Sequence, residues 1–231
     1  MTSMEARTSG ATDPAAALEA FGAPLSRDFY RQDAVQLAPM LLNCILVHET
    51  AEGIRAGRIT ETEAYTQDEP ACHAFRGRTL RNAVMFGPPG HAYIYFTYGM
   101  HHCMNAVSGP EGRGEAVLIR AVEPLVGLEQ MLRARGLPAP APGAALTPAA
   151  RVRLGRALCG GPGRLCQAFG LDRTLNGDDL TRRPRLWIAP PGVSAGFARP
   201  ESIVASPRIG ISAGTDLLWR FTLRDDPYTS R

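Results

Sequence analysis

Residues 59–105 read ITETEAYTQDEPACHAFRGRTLRNAVMFGPPGHAYIYFTYGMHHCMN, and two patterns in this stretch decide the fold. The first, Ile59–Tyr65, alternates from one residue to the next, which predicts a β-strand with two distinct faces. The second covers His91–Ser108 with Tyr98-Gly99 at its centre, which predicts a β-hairpin with aromatic residues near its tip. We therefore expect a domain organised around antiparallel strands.

One face of the first strand carries Ile59, Glu61, Glu63 and Tyr65, because every second side chain points the same way. Two carboxylates on a strand face are often only solvated edge residues. Here a tyrosine follows them and the pattern is not polar-out, so a functional role for the pair stays open.

The segment that follows is free of acidic residues. Between Pro70 and Pro110 there is no Asp or Glu, whereas three arginines and four of the five histidines of the chain lie there. A basic, aromatic surface beside isolated carboxylates favours chemistry on a polyanion.

The composition fits one globular domain. The chain has 231 residues, 45% of them hydrophobic and 20% charged, and its net charge of +3 is too small to indicate a nucleic-acid partner. All 25 basic residues are arginine. Without lysine, no side-chain amine can form a Schiff base.

Neither a metal, a cofactor nor a membrane is predicted. The five cysteines are scattered and form no C-x-x-C pair, which argues against a disulfide framework or a zinc site. No apolar run approaches the ~18 residues of a membrane span, and the first residues lack the pattern of a secretory signal. We expect a cytoplasmic protein with reduced thiols, acting at the nucleoid if the host is a bacterium.

The rest of the chain predicts an α+β fold: a single domain with a mainly antiparallel, curved sheet flanked by helices and a protruding hairpin. We expect residues 1–24 to be disordered apart from a short helix at 14–21, and residues 25–231 to form the domain, with a Pro/Ala-rich loop at 136–148. Predicted helices cover 34–42, 123–135, 148–159 and 164–169, and predicted strands include 44–48, 57–65, 115–122, 185–189, 206–211 and 217–222.

Two glycine-rich turns superficially suggest phosphate loops. GPPG at 87–90 and GGPG at 160–163 match neither the Walker nor the dinucleotide fingerprint, and a chain without lysine has no Walker lysine. We interpret both as turns.

Four separated segments occur in an order that is similar to a known family. They are RITETEAY (58–65), HAFRGRTLRNAVMFGPPGHAYIYFTYGMHHCMN (73–105), AVLIRAVEPLVGLE (116–129) and LCGGPGRLCQAFGL (158–171). Together they resemble the alkyladenine (3-methyladenine) DNA glycosylases of the mammalian type, over about residues 25–224. The resemblance implies excision of alkylated or deaminated purines from double-stranded DNA by hydrolysis of the N-glycosidic bond, without a cofactor. Because one flipped base needs one pocket, we expect a monomer.

The resemblance also assigns roles to residues. Glu63 would activate the attacking water, and Arg120 would hold that water and the carboxylate. The base pocket would be lined by Tyr65, His73, Tyr95 and Asn105. Tyr98, with Met100 beside it, would fill the gap left by the extruded nucleotide, while the DNA backbone would be held by Arg76, Arg78, Arg81, Arg151 and Arg164. Leu80 stands where this family often has proline, and His102 where an aromatic is common.

These residue types suit the reaction. A flipped cationic purine would gain about 0.5–2 kcal/mol from stacking on tyrosine, and one carboxylate can activate water for its release. Without a side-chain amine, and with the α-amino group on a tail expected to be disordered, the enzyme would be monofunctional and leave an abasic site. A non-catalytic damage-binding module is the alternative, and a small-molecule hydrolase is a third. The ranking of damaged purines as substrates stays open.

Overall fold

The strand that carries both candidate carboxylates is the centre of the sheet. This strand, β2, spans Gly53–Tyr65. Its first half pairs with β1 (Ile45–Thr50), its second half pairs with β8 (Arg220–Leu223), and its other edge pairs with β5 (Ala116–Val126). β2 thus has partner strands along both edges. Its two faces are also covered, since only one residue between Ile54 and Ala64 is not buried. β2 therefore holds its side chains in fixed positions.

The computed structural model describes residues 21–141, 145–192 and 196–230. Within these residues the sheet has eight strands, all paired antiparallel, in the order β3-β4-β5-β2-β1-β6, with β8 joined to β2 and β7 to β8. The remaining strands are β3 (Ala92–Thr97), β4 (His101–Val107), β6 (Leu186–Ala189) and β7 (Ile203–Ser206).

A β-bulge divides β2 into two halves. The register against β5 shifts on both sides of Glu61, and an extra residue in one strand bends it and rotates the side chains that follow. Ile59 consequently lies in the main hydrophobic core, on the same side as Thr62, whose hydroxyl donates to the carbonyl of Ala38. The prediction that Ile59 shares a face with Glu61 and Glu63 is therefore wrong for Ile59.

Four α-helices are present in the described residues, and they cover one side of the sheet. They are α1 (Ala34–Met40), α2 (Leu128–Arg135), α3 (Pro148–Cys159) and α4 (Pro162–Phe169). Asp33 caps α1 by accepting from the amide of Gln36, and Thr147 caps α3 by accepting from that of Ala150. The α+β class, the single domain and the antiparallel curved sheet are confirmed.

The predicted hairpin is formed by β3 and β4. Tyr98 and Gly99 form the centre of its turn, with φ angles of 50° and 67°, and the amide of Met100 donates to the carbonyl of Thr97. Positive φ at both central residues gives the turn a twist that matches the strands.

Three predicted elements differ clearly from the structure, and one of them, the strand expected at 217–222, begins only at Arg220. The helix expected from Glu123 begins only at Leu128, because β5 continues through Pro124 to Val126 and pairs there with the long β2. The strand expected at 206–211 is a strand only at its first residue. Residues 207–211 instead form a loop, and Ile209–Ile211 reach the cavity described below.

Most of the predicted disordered segment, with its short helix at 14–21, lies outside the described residues, as do residues 142–144 of the predicted loop. None of the helices in the described ranges has the length and hydrophobicity that crossing a membrane requires.

Candidate active site

A cavity of about 310 Å³ opens between the hairpin, β2, β5 and the loop 207–211. It contains side chains from all of these elements. Its lining residues are Tyr65, Ala71, His73, Met85, Tyr93, Tyr95, Thr97, Tyr98, Cys103, Asn105, Ala116, Leu118, Arg120, Pro162, Ile209, Gly210 and Ile211. Concave pockets of this size with a few convergent polar groups are typical of ligand sites.

Glu63 lies directly behind the wall of this cavity and is fully buried. One carboxylate oxygen accepts from the amide of Ile209 at 2.8 Å and lies 3.3 Å from a guanidinium nitrogen of Arg120. The other oxygen accepts from the hydroxyl of Tyr65 at 2.8 Å. All three partners line the cavity. An ionised carboxylate has about four acceptor sites, so three donors leave one site for a water molecule.

Glu61 is equally buried, and its carboxylate accepts four hydrogen bonds. One oxygen accepts from Arg120 at 2.9 Å, from Arg220 at 2.6 Å and from the hydroxyl of Ser230 at 2.8 Å, and the other accepts from the amide of Ser230 at 2.6 Å. Burial alone would raise the pKa of Glu61, but the two arginines and Ser230 outweigh it and hold the pKa below its usual value. Glu61 therefore serves as a permanent anion that fixes Arg120.

Arg120 connects the two carboxylates. Burial alone would lower the pKa of Arg120, but Glu63 and Glu61 outweigh it and raise the pKa above its usual value. The pKa of Tyr65 is raised by burial and by Glu63, which keeps its hydroxyl protonated as a donor. A charged guanidinium and a neutral phenol thus hold the Glu63 carboxylate in one orientation.

Three rings form an aromatic wall. The ring centroids of His73 and Tyr95 are 4.4 Å apart, and those of Tyr93 and Tyr95 are 5.4 Å apart. A ring nitrogen of His73 lies 2.9 Å from the hydroxyl of Tyr93. Partial burial, together with Arg81, lowers the pKa of His73, so its imidazole is neutral at pH 7. Such a wall suits the flat face of an aromatic ligand.

Asn105 lies in the same cavity and is 4% exposed. Its side-chain amide donates to the carbonyl of Tyr93 at 3.0 Å, across the β3–β4 pair that joins the two residues. This bond fixes the amide group at one position in the cavity wall.

Several residues that shape the site were missed by the sequence analysis. Asn82 holds the loop that carries His73, because its amide nitrogen donates to the carbonyls of His73 at 2.8 Å and Gly77 at 3.0 Å. Cys103 and Met85 line the cavity. The only signal for Asn82 was a polar residue in a glycine-containing loop, which many exposed positions share.

Arg208 was also missed. Its guanidinium binds both carboxylate oxygens of Glu69, at 2.6 and 2.8 Å, and the carbonyl of Ala64 at 2.9 Å. It lies next to Ile209, the residue whose amide binds Glu63. The sequence analysis missed the contacts of Arg208 and Ile209 because it predicted a regular strand at 206–211. In the structure a loop at 207–211 brings the amide of Ile209 to Glu63 on β2.

The hairpin tip is exposed. Tyr98 is 81% exposed and Met100 is 68% exposed. Leu80, on the neighbouring loop, is fully exposed. Arg81 joins this loop to the hairpin by donating to the carbonyl of Phe96 at 3.3 Å.

The five arginines expected to hold the DNA backbone are all exposed. Arg76, Arg78 and Arg81 are in the loop that carries His73. Arg164 is in α4, whose Pro162 lines the cavity. Arg151 is on α3, within electrostatic range of Tyr228. The first four thus belong to elements that border the cavity, and nothing in the structure ties Arg151 to it.

Known proteins are similar to this chain over most of its length. Residues 28–227 match the model of the Methylpurine-DNA glycosylase family. The chain belongs to the methylpurine-DNA glycosylase family. It is 47% identical to a relative from Carboxydothermus hydrogenoformans over 90% of this chain and 98% of the relative.

Two further relatives agree. One from Burkholderia lata is 48% identical over 90% of this chain and 92% of its own length, and one from Methanoculleus marisnigri is 46% identical over 88% and 96%. All three relatives carry the name "Putative 3-methyladenine DNA glycosylase". The prediction of a DNA glycosylase acting in DNA repair is confirmed by these matches, and the glycosylase has DNA as its substrate.

Proposed function

We propose that this glycosylase extrudes alkylated or deaminated purines from duplex DNA into the cavity and hydrolyses the N-glycosidic bond with a water activated by Glu63. The observation that carries the proposal is the environment of Glu63. It is a buried carboxylate held by three residues of the cavity wall, and it has one acceptor site left.

Glu63 acts as general base in this proposal. Its free acceptor site binds the attacking water and takes one proton as the oxygen bonds to C1′ of the sugar. The C1′–N9 bond breaks, and the purine departs with the bonding electrons. The negative charge of the carboxylate also stabilises the oxocarbenium-like sugar in the transition state. Arg120 holds the carboxylate and the water during this step.

The cavity wall receives the base. A purine inside a duplex is stacked and paired, so it must rotate out at a cost of a few kcal/mol, and a damaged base rotates out most easily. Tyr98 and Met100 enter the vacated space from the minor groove. The extruded base stacks between Tyr65, His73 and Tyr95, and Asn105 stands against its edge.

The first test compares wild type with Glu63→Gln in base release from duplex DNA treated with a methylating agent. The glutamine oxygen can still accept from the amide of Ile209, and its amide group can donate to Tyr65, so the fold survives. We expect duplex binding to persist while release falls by at least about 100-fold, as for other general bases. Glu123→Gln is the matched control, because Glu123 pairs with Arg58 and does not line the cavity.

The outcomes separate the alternatives. Equal release by wild type and Glu63→Gln would remove Glu63 as the base but keep a glycosylase. Duplex binding without release by either protein would favour the damage-binding module. Release from free nucleosides would favour a small-molecule hydrolase.

We also propose that the enzyme is monofunctional. A strand-cleaving glycosylase forms an imine with an amine, and this chain has no lysine. We expect an intact abasic site after base release and no covalent adduct when the reaction is run with borohydride. A borohydride-trapped protein–DNA adduct would contradict this prediction.

The oligomeric state and the location of the enzyme complete the proposal. We propose that the enzyme works as a monomer, since one extruded nucleotide occupies one cavity, and that it acts at the nucleoid, where its substrate is.

A further inference from the structure

Two guanidinium groups lie behind the aromatic walls of the cavity. The guanidinium carbon of Arg208 is 4.6 Å from the ring centroid of Tyr65, and that of Arg81 is 5.9 Å from the ring centroid of Tyr95. Both tyrosines line the cavity, whereas neither arginine does. The positive charges therefore contact the rings from outside the space that the base would fill.

Arg208 cannot move away from its ring. Its side chain is fully buried, and it is bound to both carboxylate oxygens of Glu69 and to the carbonyl of Ala64. Its guanidinium also lies 5.3 Å from the ring centroid of Trp219. The ring of Tyr65 thus has a fixed cation beside it, and that cation is paired with Glu69.

This arrangement weakens the attraction of the wall for a second cation. A cation binds the face of an aromatic ring through the negative charge of the π-system. The buried guanidinium of Arg208 draws that charge towards itself and repels a second cation through the low-dielectric interior, whereas the exposed guanidinium of Arg81 acts more weakly because solvent screens it. A neutral base has no cation–π attraction to lose and no charge to be repelled, so its stacking energy is unchanged.

The same charges act on bond cleavage. When the C1′–N9 bond of a neutral lesion breaks, the purine takes both electrons and carries negative charge until it is protonated. A cationic lesion leaves as a neutral purine. Guanidinium groups near the pocket stabilise the anionic purine that leaves a neutral lesion, but not the neutral purine that leaves a cationic lesion.

Charges around the rest of the site do not reverse this balance. Three buried carboxylates, Glu61, Glu63 and Glu69, lie near the cavity, and four guanidinium groups accompany them, those of Arg81, Arg120, Arg208 and Arg220. The pocket therefore lacks the net negative charge that would select a cationic base.

We propose that Arg208, assisted by Arg81, is a specificity-determining residue that shifts the preference of the pocket from cationic towards neutral purine lesions. This inference rests on the proposed function, since it assumes that the damaged base stacks on Tyr65 and Tyr95.

The test uses two duplexes that differ only in the lesion: hypoxanthine, which is neutral, and 7-methylguanine, which is cationic. The quantity measured is the single-turnover rate of release of hypoxanthine divided by that of 7-methylguanine. A loss of folding or of general duplex affinity scales both rates and leaves this ratio unchanged.

Two variants should move the ratio in opposite directions. Glu69→Gln keeps the guanidinium and removes its counter-charge, so the ratio should rise by about threefold to tenfold. The double variant Arg208→Gln with Glu69→Gln removes both charges and keeps two groups that can hydrogen-bond, so the ratio should fall by a similar factor. Opposite shifts are not expected from structural damage alone.

Arg81→Gln removes the guanidinium beside Tyr95 without disturbing the core, because Arg81 is exposed. It should also lower the ratio. Arg133→Gln is the matched control, since Arg133 is an exposed arginine of α2 paired with Glu52, and it should leave the ratio at the wild-type value.

The outcomes for the two proposals are distinct. If wild type releases neither base, the proposed function fails. If wild type releases both bases and the ratio stays constant in all variants, or moves in one direction in both Glu69 variants, the inference about Arg208 is overturned. If neither Glu69 variant folds, the single variant Arg208→Gln carries the test, and an unchanged ratio in that variant overturns the inference.

Discussion

At the scale of single residues, the difference between Glu61 and Glu63 is the number of donors each carboxylate receives. Glu61 accepts from Arg120 and Arg220 and twice from Ser230, and of these three residues only Arg120 lines the cavity. Glu63 keeps one acceptor site, and its partners line the cavity. Two identical side chains, two residues apart, therefore have different surroundings, and only those of Glu63 suit the proposed general base.

Asn105 supports a prediction at the same scale. We expect Asn105→Ala or Asn105→Ser to increase release of normal guanine by about tenfold, because the fixed amide would no longer oppose the 2-amino group of guanine. The measurement is guanine release from undamaged duplex DNA.

Asn43→Gly is a suitable control for this experiment. Asn43 lies outside the cavity and has a φ of 70°, which glycine adopts without strain. Guanine release that is unchanged in both Asn105 variants would show that the amide does not exclude guanine.

At the scale of secondary structure, the hairpin combines backbone strain with exposure. Tyr98 has a φ of 50° and is 81% exposed. For a residue with a side chain, the left-handed conformation costs about 1–2 kcal/mol. Because Tyr98 is so exposed, its side chain gains little from packing that could offset this strain. Stability therefore does not explain why a tyrosine occupies this position. Strain of this kind is often found at functional sites.

The hairpin therefore supports a prediction with two readouts. Tyr98→Gly should leave the free energy of unfolding unchanged or raise it by up to about 1 kcal/mol, since glycine removes the strain at some cost in chain entropy. The same variant should lower release of methylated bases from duplex DNA by about tenfold or more, because nothing fills the gap in the stack. Urea unfolding and a release assay measure the two effects.

Gly99→Ala should have the opposite effects, lower stability and retained activity. Its φ is 67° and a Cβ there would meet no other atom, so it should lower the free energy of unfolding by about 1 kcal/mol while keeping Tyr98. Full release activity in Tyr98→Gly would contradict the wedge role of this residue.

At the scale of the whole molecule, buried ionisable groups tie stability to pH. His48, on β1, is 7% exposed and lies 2.7 Å from the carbonyl of Phe169, at the end of α4. Burial lowers the pKa of His48, assisted by Arg55 and Arg185 and opposed by the hydrogen bond and Asp178. The imidazole is therefore neutral in the folded protein and takes up a proton on unfolding at acidic pH.

The sign of the effect follows from this difference. Because the pKa is depressed in the folded state, the stability contributed by His48 is complete above the unfolded pKa of about 6.5 and declines as pH falls below it. One such group changes the free energy of unfolding by up to about 1.4 kcal/mol per pH unit. We expect His48→Asn, which keeps a donor for the Phe169 carbonyl, to show a smaller loss of stability between pH 7 and pH 5 in urea unfolding. Equal losses in both proteins would refute this prediction.

Much of the fold was determined by the sequence alone. The alternation in Ile59–Tyr65, the tyrosine-rich hairpin and the helix caps Asp33 and Thr147 are local signals, and each produced its element. The candidate residues of the cavity wall, Tyr65, His73, Tyr95 and Asn105, came from the motifs that resemble a known family, and the structure brings all four to one cavity.

Only the tertiary structure decided which neighbours complete the site. The bulge at Glu61 depends on pairing with β5, and β5 continues through Pro124 because the long β2 offers it a partner. Arg208 and Ile209 lie about 145 residues from Glu63 in the chain, yet they hold its surroundings. Local sequence carries no signal for contacts over such a separation, because they arise only when the whole sheet closes around β2. The donors that hold the Glu63 carboxylate, and the cation beside Tyr65, are therefore products of the fold.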